Sequence, residues 1–169
     1  MSLGALALVL VVLLLGRGRR FYEDVFRPAP EPGWYTVVRV VDGDTLEVEP
    51  NPSLELAEGN HVRLIGVDTP ETVHPSRPVE YFGREASAFT RRLCEGRRVR
   101  LEFDPAAGHD RYGRTLAYVY LEDGTFLNAE IIRQGYGFAY TRFPFTHLEE
   151  FRALEREARD QRRGLWAGR

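Results

Sequence analysis

The chain has 169 residues, of which 43% are hydrophobic and 28% charged, a balance typical of one soluble globular domain with an appendage. Its formal net charge of -2 argues against a protein that holds nucleic acid through a broad, non-specific basic surface. Because the chain has a single cysteine, Cys94, it forms no internal disulfide, and its stability has to come from packing.

Residues 1–20 are predicted to stand apart from the globular domain as a hydrophobic helix. Leu3 to Leu15 are apolar apart from Gly4, and arginines follow directly. The run is compatible with a signal segment for export, but no basic residue precedes it and no small-x-small cleavage site follows it, which favours an uncleaved membrane anchor. Since the arginines would keep the domain cytoplasmic by the positive-inside rule, the side of the membrane stays open.

Residues 21–33 carry three prolines spaced by two and are predicted to form an extended, Pro-rich linker. The folded domain is predicted to span 34–169. It opens with a β-branched strand over 35–41, a turn at Asp42 and Gly43, and an alternating strand over 45–49. A loop covers 51–59, and residues 61–67 form the third strand.

The second half of the domain alternates between helices and strands. The pattern predicts a helix over 82–95 that buries Cys94, strands over 99–103 and 115–121, a helix over 128–134 capped by Asn128, and a last helix opened by a capping box from Thr146 to Glu149. Five strands with about three helices predict a mainly β fold with α (α+β), a five-stranded barrel of the OB-fold type.

Two carboxylates are predicted to share a cation. By alternation, Asp44 and Asp68 each lie at one end of a strand on its apolar face. Two such groups repel each other unless something positive lies between them. The available donors are oxygens, including the main-chain carbonyl of Thr69, so a hard ion such as calcium is favoured over zinc. Turn chemistry alone explains Asp42.

Arg63 and Arg114 are the candidate phosphate clamps, because a guanidinium meets two phosphate oxygens at once. Taken alone, an arginine at either position is more often a solvated strand residue. Simple alternation places Arg63 on the opposite face from Asp68, so a bulge or strong coiling would be needed to bring them together. Glu71 is the candidate that positions or deprotonates a water molecule.

Tyr112 and Tyr140 could offer hydrogen bonds and a flat face to a sugar or base. Tyrosines are also common in the cores of barrels, so both interpretations stay open.

The sequence from about Trp34 to Trp166 resembles the thermonuclease (staphylococcal nuclease) family in the order and spacing of five motifs. These motifs are V-D-G-D-T at 41–45, R-L-I-G-V-D-T-P-E at 63–71, Y-F-G-R-E-A-S-A-F-T at 81–90, D-R-Y-G-R at 110–114 and N-A-E-I-I-R-Q-G at 128–135.

The resemblance implies an OB-fold nuclease that uses calcium to cleave DNA and RNA, with single-stranded or unpaired substrates preferred. Such an enzyme breaks the 5′-oxygen bond and leaves 3′-phosphate products. The matched positions imply metal ligands, phosphate-binding arginines, a proposed general base and contacts to the terminal nucleotide. The implied metal ligands are Asp44, Asp68 and the Thr69 carbonyl, with Asp42 nearby. The implied phosphate-binding residues are Arg63 and Arg114, and the implied general base is Glu71. The implied contacts to the terminal nucleotide are Arg111, Tyr112 and Tyr140.

The chain departs from the family pattern in three respects. The connection from Pro50 to Asn60 is longer than usual, the surface is acidic, and Ser76 and Arg77 replace paired lysines. The alternative function is a non-catalytic OB-fold module, tethered to a membrane, that binds nucleic acid or protein. No obligate protein partner is indicated.

Overall fold

The computed structural model describes residues 32–50, 60–73, 78–106, 110 and 112–168. Strands and helices alternate along these residues, and each element is named here in chain order. They are β1 (Gly33–Asp42), β2 (Thr45–Val48), β3 (His61–Leu64), β4 (Val67–Asp68), α1 (Gly83–Cys94), β5 (Arg98–Glu102), β6 (Thr115–Leu121), α2 (Leu127–Arg133), β7 (Phe138–Ala139), α3 (Leu148–Asp160) and a 3₁₀ turn (Gly164–Trp166).

Five of the strands close into a barrel in the order β1-β2-β3-β6-β5, with β5 pairing back to β1. The pair β3–β6 is parallel, and the other barrel pairs are antiparallel. Closure leaves these strands without an exposed edge. The short strands β4 and β7 pair beside the barrel. The predicted five-stranded barrel with three helices is confirmed.

The interior is filled by the alternating side chains of the strands and by the apolar stripes of the helices. Val37, Leu46, Val62, Leu101 and Val119 point inward from the five barrel strands and are fully buried. Helix α2 adds Ile131 and Ile132 to this core, and α3 adds Phe151. The interior of the barrel is therefore filled by side chains, so a ligand site has to lie at the rim of the barrel.

Cys94 is buried, as predicted. Burial raises the pKa of its thiol to about 12, so the thiol stays protonated and unreactive at neutral pH.

Two predicted helix caps are wrong. Helix α2 begins at Leu127 after Phe126, and α3 begins at Leu148 after His147, with no side-chain cap in either case. Asn128 lies inside the first turn and bonds to the barrel strands instead. The main-chain amide of Thr146 donates to a distant carboxylate. In both places a tertiary partner has replaced the local capping bond.

The predicted N-terminal segment 1–20 lies outside the described residues, as do residues 21–31 of the predicted linker, the loop 51–59, and the positions of Ser76, Arg77 and Arg111. Within the described ranges, no helix is both long enough and apolar enough to cross a membrane.

Candidate active site

The β1–β2 hairpin carries Asp42 and is held tightly against the segment after β4. A Cβ atom at Gly43 would lie only 2.7 Å from Oγ1 of Thr69, so a larger residue does not fit there. Thr90 of α1 donates to the Gly43 carbonyl at 2.7 Å. The Asp42 carboxylate accepts the Thr72 hydroxyl at 2.7 Å and the Thr72 amide at 3.2 Å. The hairpin is therefore fixed from both sides.

A turn between β3 and β4 brings Arg63 and Asp68 together. The predicted single strand over 61–67 is wrong, because Ile65 and Gly66 form a turn in which Gly66 has a φ of 72°. A Cβ atom on Gly66 would lie 2.6 Å from the ring of Phe145. The turn resets the alternation of side chains, so Nη2 of Arg63 reaches Oδ1 of Asp68 at 3.2 Å.

Asn128 supports this turn from inside the protein, and the sequence did not reveal that role. Its side chain is fully buried. The amide nitrogen donates to the carbonyls of Ile65 at 3.0 Å and Ala117 at 3.3 Å. The amide oxygen accepts the Val119 amide at 2.9 Å. Asn128 thereby joins β6 to the turn that presents Asp68. A polar residue at the start of an apolar helix was the available signal, but it was interpreted as a cap.

Arg63 lies between the two predicted metal-binding carboxylates. Its Nη1 is 2.6 Å from Oδ2 of Asp44, and its side chain is only 14% exposed. The pairing of β2 with β3 places Thr45 opposite Arg63 and so sets this contact. Asp44 also accepts the Thr69 amide at 2.9 Å and the Thr45 hydroxyl at 3.0 Å. The positive group that these carboxylates require is therefore the guanidinium.

Arg114 enters the same pocket from the start of β6. The parallel pairing of β3 with β6 puts the two strand starts side by side. Its Nη2 lies 2.6 Å from Oδ2 of Asp110, and its Nη1 donates to the Thr45 hydroxyl at 3.3 Å. Asp110 also accepts the amides of Tyr112 and Arg114. Asp110 thus orders the turn that delivers the arginine, a role that sequence reasoning missed.

Glu71 is held by a second glutamate. The main-chain amide of Glu71 donates to Oε2 of Glu80 at 3.2 Å, and the Glu80 amide donates back to the Glu71 carbonyl at 2.9 Å. The Glu71 carboxylate accepts the Val73 amide at 2.9 Å. These contacts fix the backbone that carries the candidate base, and Glu80 was not predicted to take part.

The carboxylates of the pocket are crowded, which shows in their pKa values. Burial raises the pKa of Asp42 to about 6; hydrogen bonds from Thr72 oppose the rise and a shared hydrogen bond with Glu71 adds to it. Burial also raises the pKa of Asp68. The positive charge of Arg63 opposes this rise, and the negative charge of Asp44 adds to it. Positive charge entering this pocket is therefore favoured.

The predicted active-site residues line one pocket of about 160 Å³, called here the small pocket. A buried water needs roughly 10–15 Å³ of such space, so there is room for a hydrated ion. The predicted members of this lining are Asp42, Asp44, Arg63, Asp68, Thr69, Glu71 and Arg114.

The small pocket offers a hard cation suitable chemistry. No histidine or cysteine among the described residues lines it, and its side-chain oxygens are of the kind that calcium prefers. Among the described residues, no three His, Cys, Asp or Glu side chains are grouped closely enough to hold a metal by themselves. The described residues would therefore suit a hard ion that keeps most of its water.

A larger groove of about 570 Å³ adjoins the small pocket and shares Arg63, Asp68 and Arg114 with it. Tyr112 and Tyr140, the predicted substrate-binding tyrosines, both line this groove. Tyr112 is 57% exposed, so it does not belong to the barrel core. The third predicted contact, Arg111, lies outside the described residues.

Known proteins are similar in sequence to this chain over most of its length. The staphylococcal nuclease homologue family matches residues 61–168. The thermonuclease of Staphylococcus hyicus is 40% identical over 134 residues, covering 79% of this chain and 75% of that protein. The thermonuclease of Staphylococcus intermedius is 40% identical over 136 residues, with 78% and 75% covered. The endonuclease YncB of Bacillus subtilis is 36% identical over 134 residues, with 78% and 61% covered. This chain, with its five-stranded barrel and the motifs along its rim, belongs to the staphylococcal nuclease family.

Proposed function

We propose that the protein is a calcium-dependent nuclease that hydrolyses phosphodiester bonds of DNA and RNA and leaves 3′-phosphate products. The observation that carries the proposal is the convergence of Arg63 and Arg114 on one small pocket that also contains Asp44, Asp68 and Glu71. A binding module needs no such combination of clamps and carboxylates. The relatives named thermonuclease and endonuclease support the same activity.

The two arginines bind the phosphate. In this structure each guanidinium is held by carboxylates, Arg63 by Asp44 and Asp68 and Arg114 by Asp110. A phosphodiester offers the same paired oxygens and can replace those partners at either arginine. Negative charge that develops on the phosphate oxygens during attack then meets two positioned guanidinium groups.

The carboxylates divide the remaining tasks. Asp44, Asp68 and the Thr69 carbonyl would hold the calcium ion, with Asp42 nearby. Calcium supplies positive charge beside the phosphate when it is bound. Glu71 orients a water molecule and accepts its proton as the new oxygen–phosphorus bond forms. The bond to the 5′ oxygen breaks, and that oxygen takes a proton from solvent to leave as a hydroxyl. The two hydrogen bonds with Glu80, one to its carboxylate and one from its main-chain amide, keep the backbone of Glu71 in place for this step.

The experiment measures cleavage of a single-stranded oligonucleotide by the purified chain, with calcium and with a chelator. Arg63→Met and Arg114→Met should each lower kcat/KM by about 10³-fold. Arg152→Met is the matched control, because Arg152 pairs with the exposed Glu149 on α3. Products should resist extension by a polymerase until a phosphatase removes their 3′-phosphate. Binding without calcium-dependent cleavage would instead support the non-catalytic module.

We further propose that residues 1–20 tether the domain to a membrane. The support is their sequence alone, an apolar run followed by arginines. Determining the N-terminal residue of the protein in membrane and soluble fractions tests this. A mature chain that starts after residue 16 would contradict retention of the anchor.

A further inference from the structure

The groove contains one arginine to which the proposed nuclease mechanism assigns no role. Arg142 lines the groove together with Arg63 and Arg114. Arg63 and Arg114 form ion pairs with aspartates. Among the described residues of the groove, Arg142 is the arginine that forms no ion pair with a carboxylate. The positive charge of Arg142 also interacts with Asp68 in the small pocket, where it opposes the rise in the pKa of Asp68. The uncompensated positive charge of the groove is therefore centred on Arg142.

An exposed aromatic ring lies next to this charge. Phe143 also lines the groove, and its side chain is 67% exposed, the highest value among the large hydrophobic residues described. Its ring centroid is 6.2 Å from that of Tyr140, and the Arg142 guanidinium lies 5.9 Å from the Tyr140 ring. A single exposed apolar side chain needs no explanation. An exposed ring beside an arginine, inside a groove, matches the pattern that binds single-stranded nucleic acid.

The segment that bears both residues is anchored at each end. The Tyr140 amide donates to the Gly66 carbonyl at 2.9 Å. The Thr146 amide donates to the buried Asp104 at 2.7 Å. Arg142 and Phe143 thus project from a short segment whose ends are fixed to the barrel, so binding there would cost little ordering of the backbone.

We propose that Arg142 and Phe143 form a subsite for the next nucleotide along the substrate strand, beyond the one held by Tyr112 and Tyr140. Phe143 stacks against the base, and Arg142 binds the phosphate that precedes or follows it. This inference rests on the proposed nuclease function and adds a preference for substrates longer than a dinucleotide. The groove, at about 570 Å³, is more than three times as large as the 160 Å³ small pocket it leads from.

The test compares a dinucleotide, which cannot reach the subsite when its one phosphate is bound, with a tetranucleotide of the same base. Phe143→Ala should raise KM for the tetranucleotide about 5- to 150-fold, the range expected for loss of one stacked base. Arg142→Gln should raise the same KM and reduce its dependence on salt by about one phosphate contact. Cleavage of the dinucleotide should change far less in both variants.

Arg98→Gln is the matched control, because Arg98 also lies over an aromatic ring, Trp34, but on the outer face of β5. It should leave the ratio of the two kcat/KM values unchanged. Variants that keep the wild-type preference for the tetranucleotide would overturn the subsite while leaving the nuclease intact. If the wild-type chain cleaves neither substrate, the nuclease proposal fails. Fluorescence anisotropy then decides the subsite by itself, since both variants should weaken binding of a labelled tetranucleotide.

Discussion

Replacing Asp104 with asparagine should destabilise the groove and the whole domain. Asp104 is 4% exposed. Its carboxylate accepts the Tyr118 hydroxyl at 2.6 Å, the Ala106 amide at 2.8 Å and the Thr146 amide at 2.7 Å. Ala106 lines the groove, and Thr146 follows the last groove residue. Asparagine keeps the size of the side chain but loses the charge and puts an N–H₂ donor where an acceptor is needed.

The pKa of Asp104 gives the size of the effect. Burial on its own would raise this pKa, but hydrogen bonds from Tyr118, Thr146 and Ala106 outweigh burial and lower it from 3.8 to about 2. A shift of this size corresponds to about 2 kcal/mol. Because the folded-state pKa lies below the unfolded-state value, this stability is present in full above the unfolded-state pKa and is lost as the pH falls through about 2.

Urea unfolding followed by tryptophan fluorescence measures this contribution. The free energy of unfolding of Asp104→Asn should be about 2 kcal/mol below that of the wild type at pH 7. The difference should begin to shrink below about pH 4. Asp160→Asn is the control, because Asp160 is exposed at the end of α3. A difference that stays constant between pH 7 and pH 2 would show that the charge of Asp104 is not the source of the stability.

Two further substitutions test residues that support the active site. Asn128→Ala removes three buried hydrogen bonds and should lower the free energy of unfolding by about 2–3 kcal/mol in urea titrations. It should also reduce kcat, because the turn at Gly66 loses its support. Glu80→Ala should reduce kcat about 10-fold with little change in KM, while Glu80→Gln, which keeps an acceptor for the Glu71 amide, should restore most of it. A Glu80→Gln variant as impaired as Glu80→Ala would mean that the hydrogen bond is not what positions Glu71.

Much of the barrel could be predicted because its signals are local. Strand β6 was predicted with its observed bounds, Thr115–Leu121, since large side chains alternate with Ala117 and Val119 and an Asp-Gly turn follows. Helix α1 was placed to within one residue at each end because a three- and four-residue apolar spacing stops at Gly96, whose φ is 72°. Each of these features depends on residues that are neighbours in the chain.

The polar residues that shape the site could not be predicted, because their partners are distant in sequence. Asn128 bonds to Ile65, 63 positions away, and Asp104 bonds to Thr146, 42 positions away. From the sequence alone, a polar residue such as Asn128 or Asp104 is equally compatible with a local helix cap or turn and with a distant tertiary hydrogen bond. The turn at Gly66 was missed for a similar reason, since the glycine is required by the rings of Phe145 and Phe151 rather than by its neighbours.

The charges of the small pocket are better explained by exchange of partners than by stability of the fold. Ion pairs as enclosed as that of Arg63 with Asp44, where both side chains are less than 15% exposed, seldom stabilise a protein more than apolar residues of similar volume would. Here each group has two acceptable partners of similar chemistry. The arginine can bind a carboxylate or a phosphate, and the carboxylate can bind an arginine or a cation. Under the proposed function, substrate and cation would therefore enter together without leaving a buried charge unpaired, which would otherwise be the most costly step. Because the turn at Gly66 puts Arg63 and Asp68 within reach of each other, this exchange would depend on the turn between β3 and β4, which simple alternation could not predict.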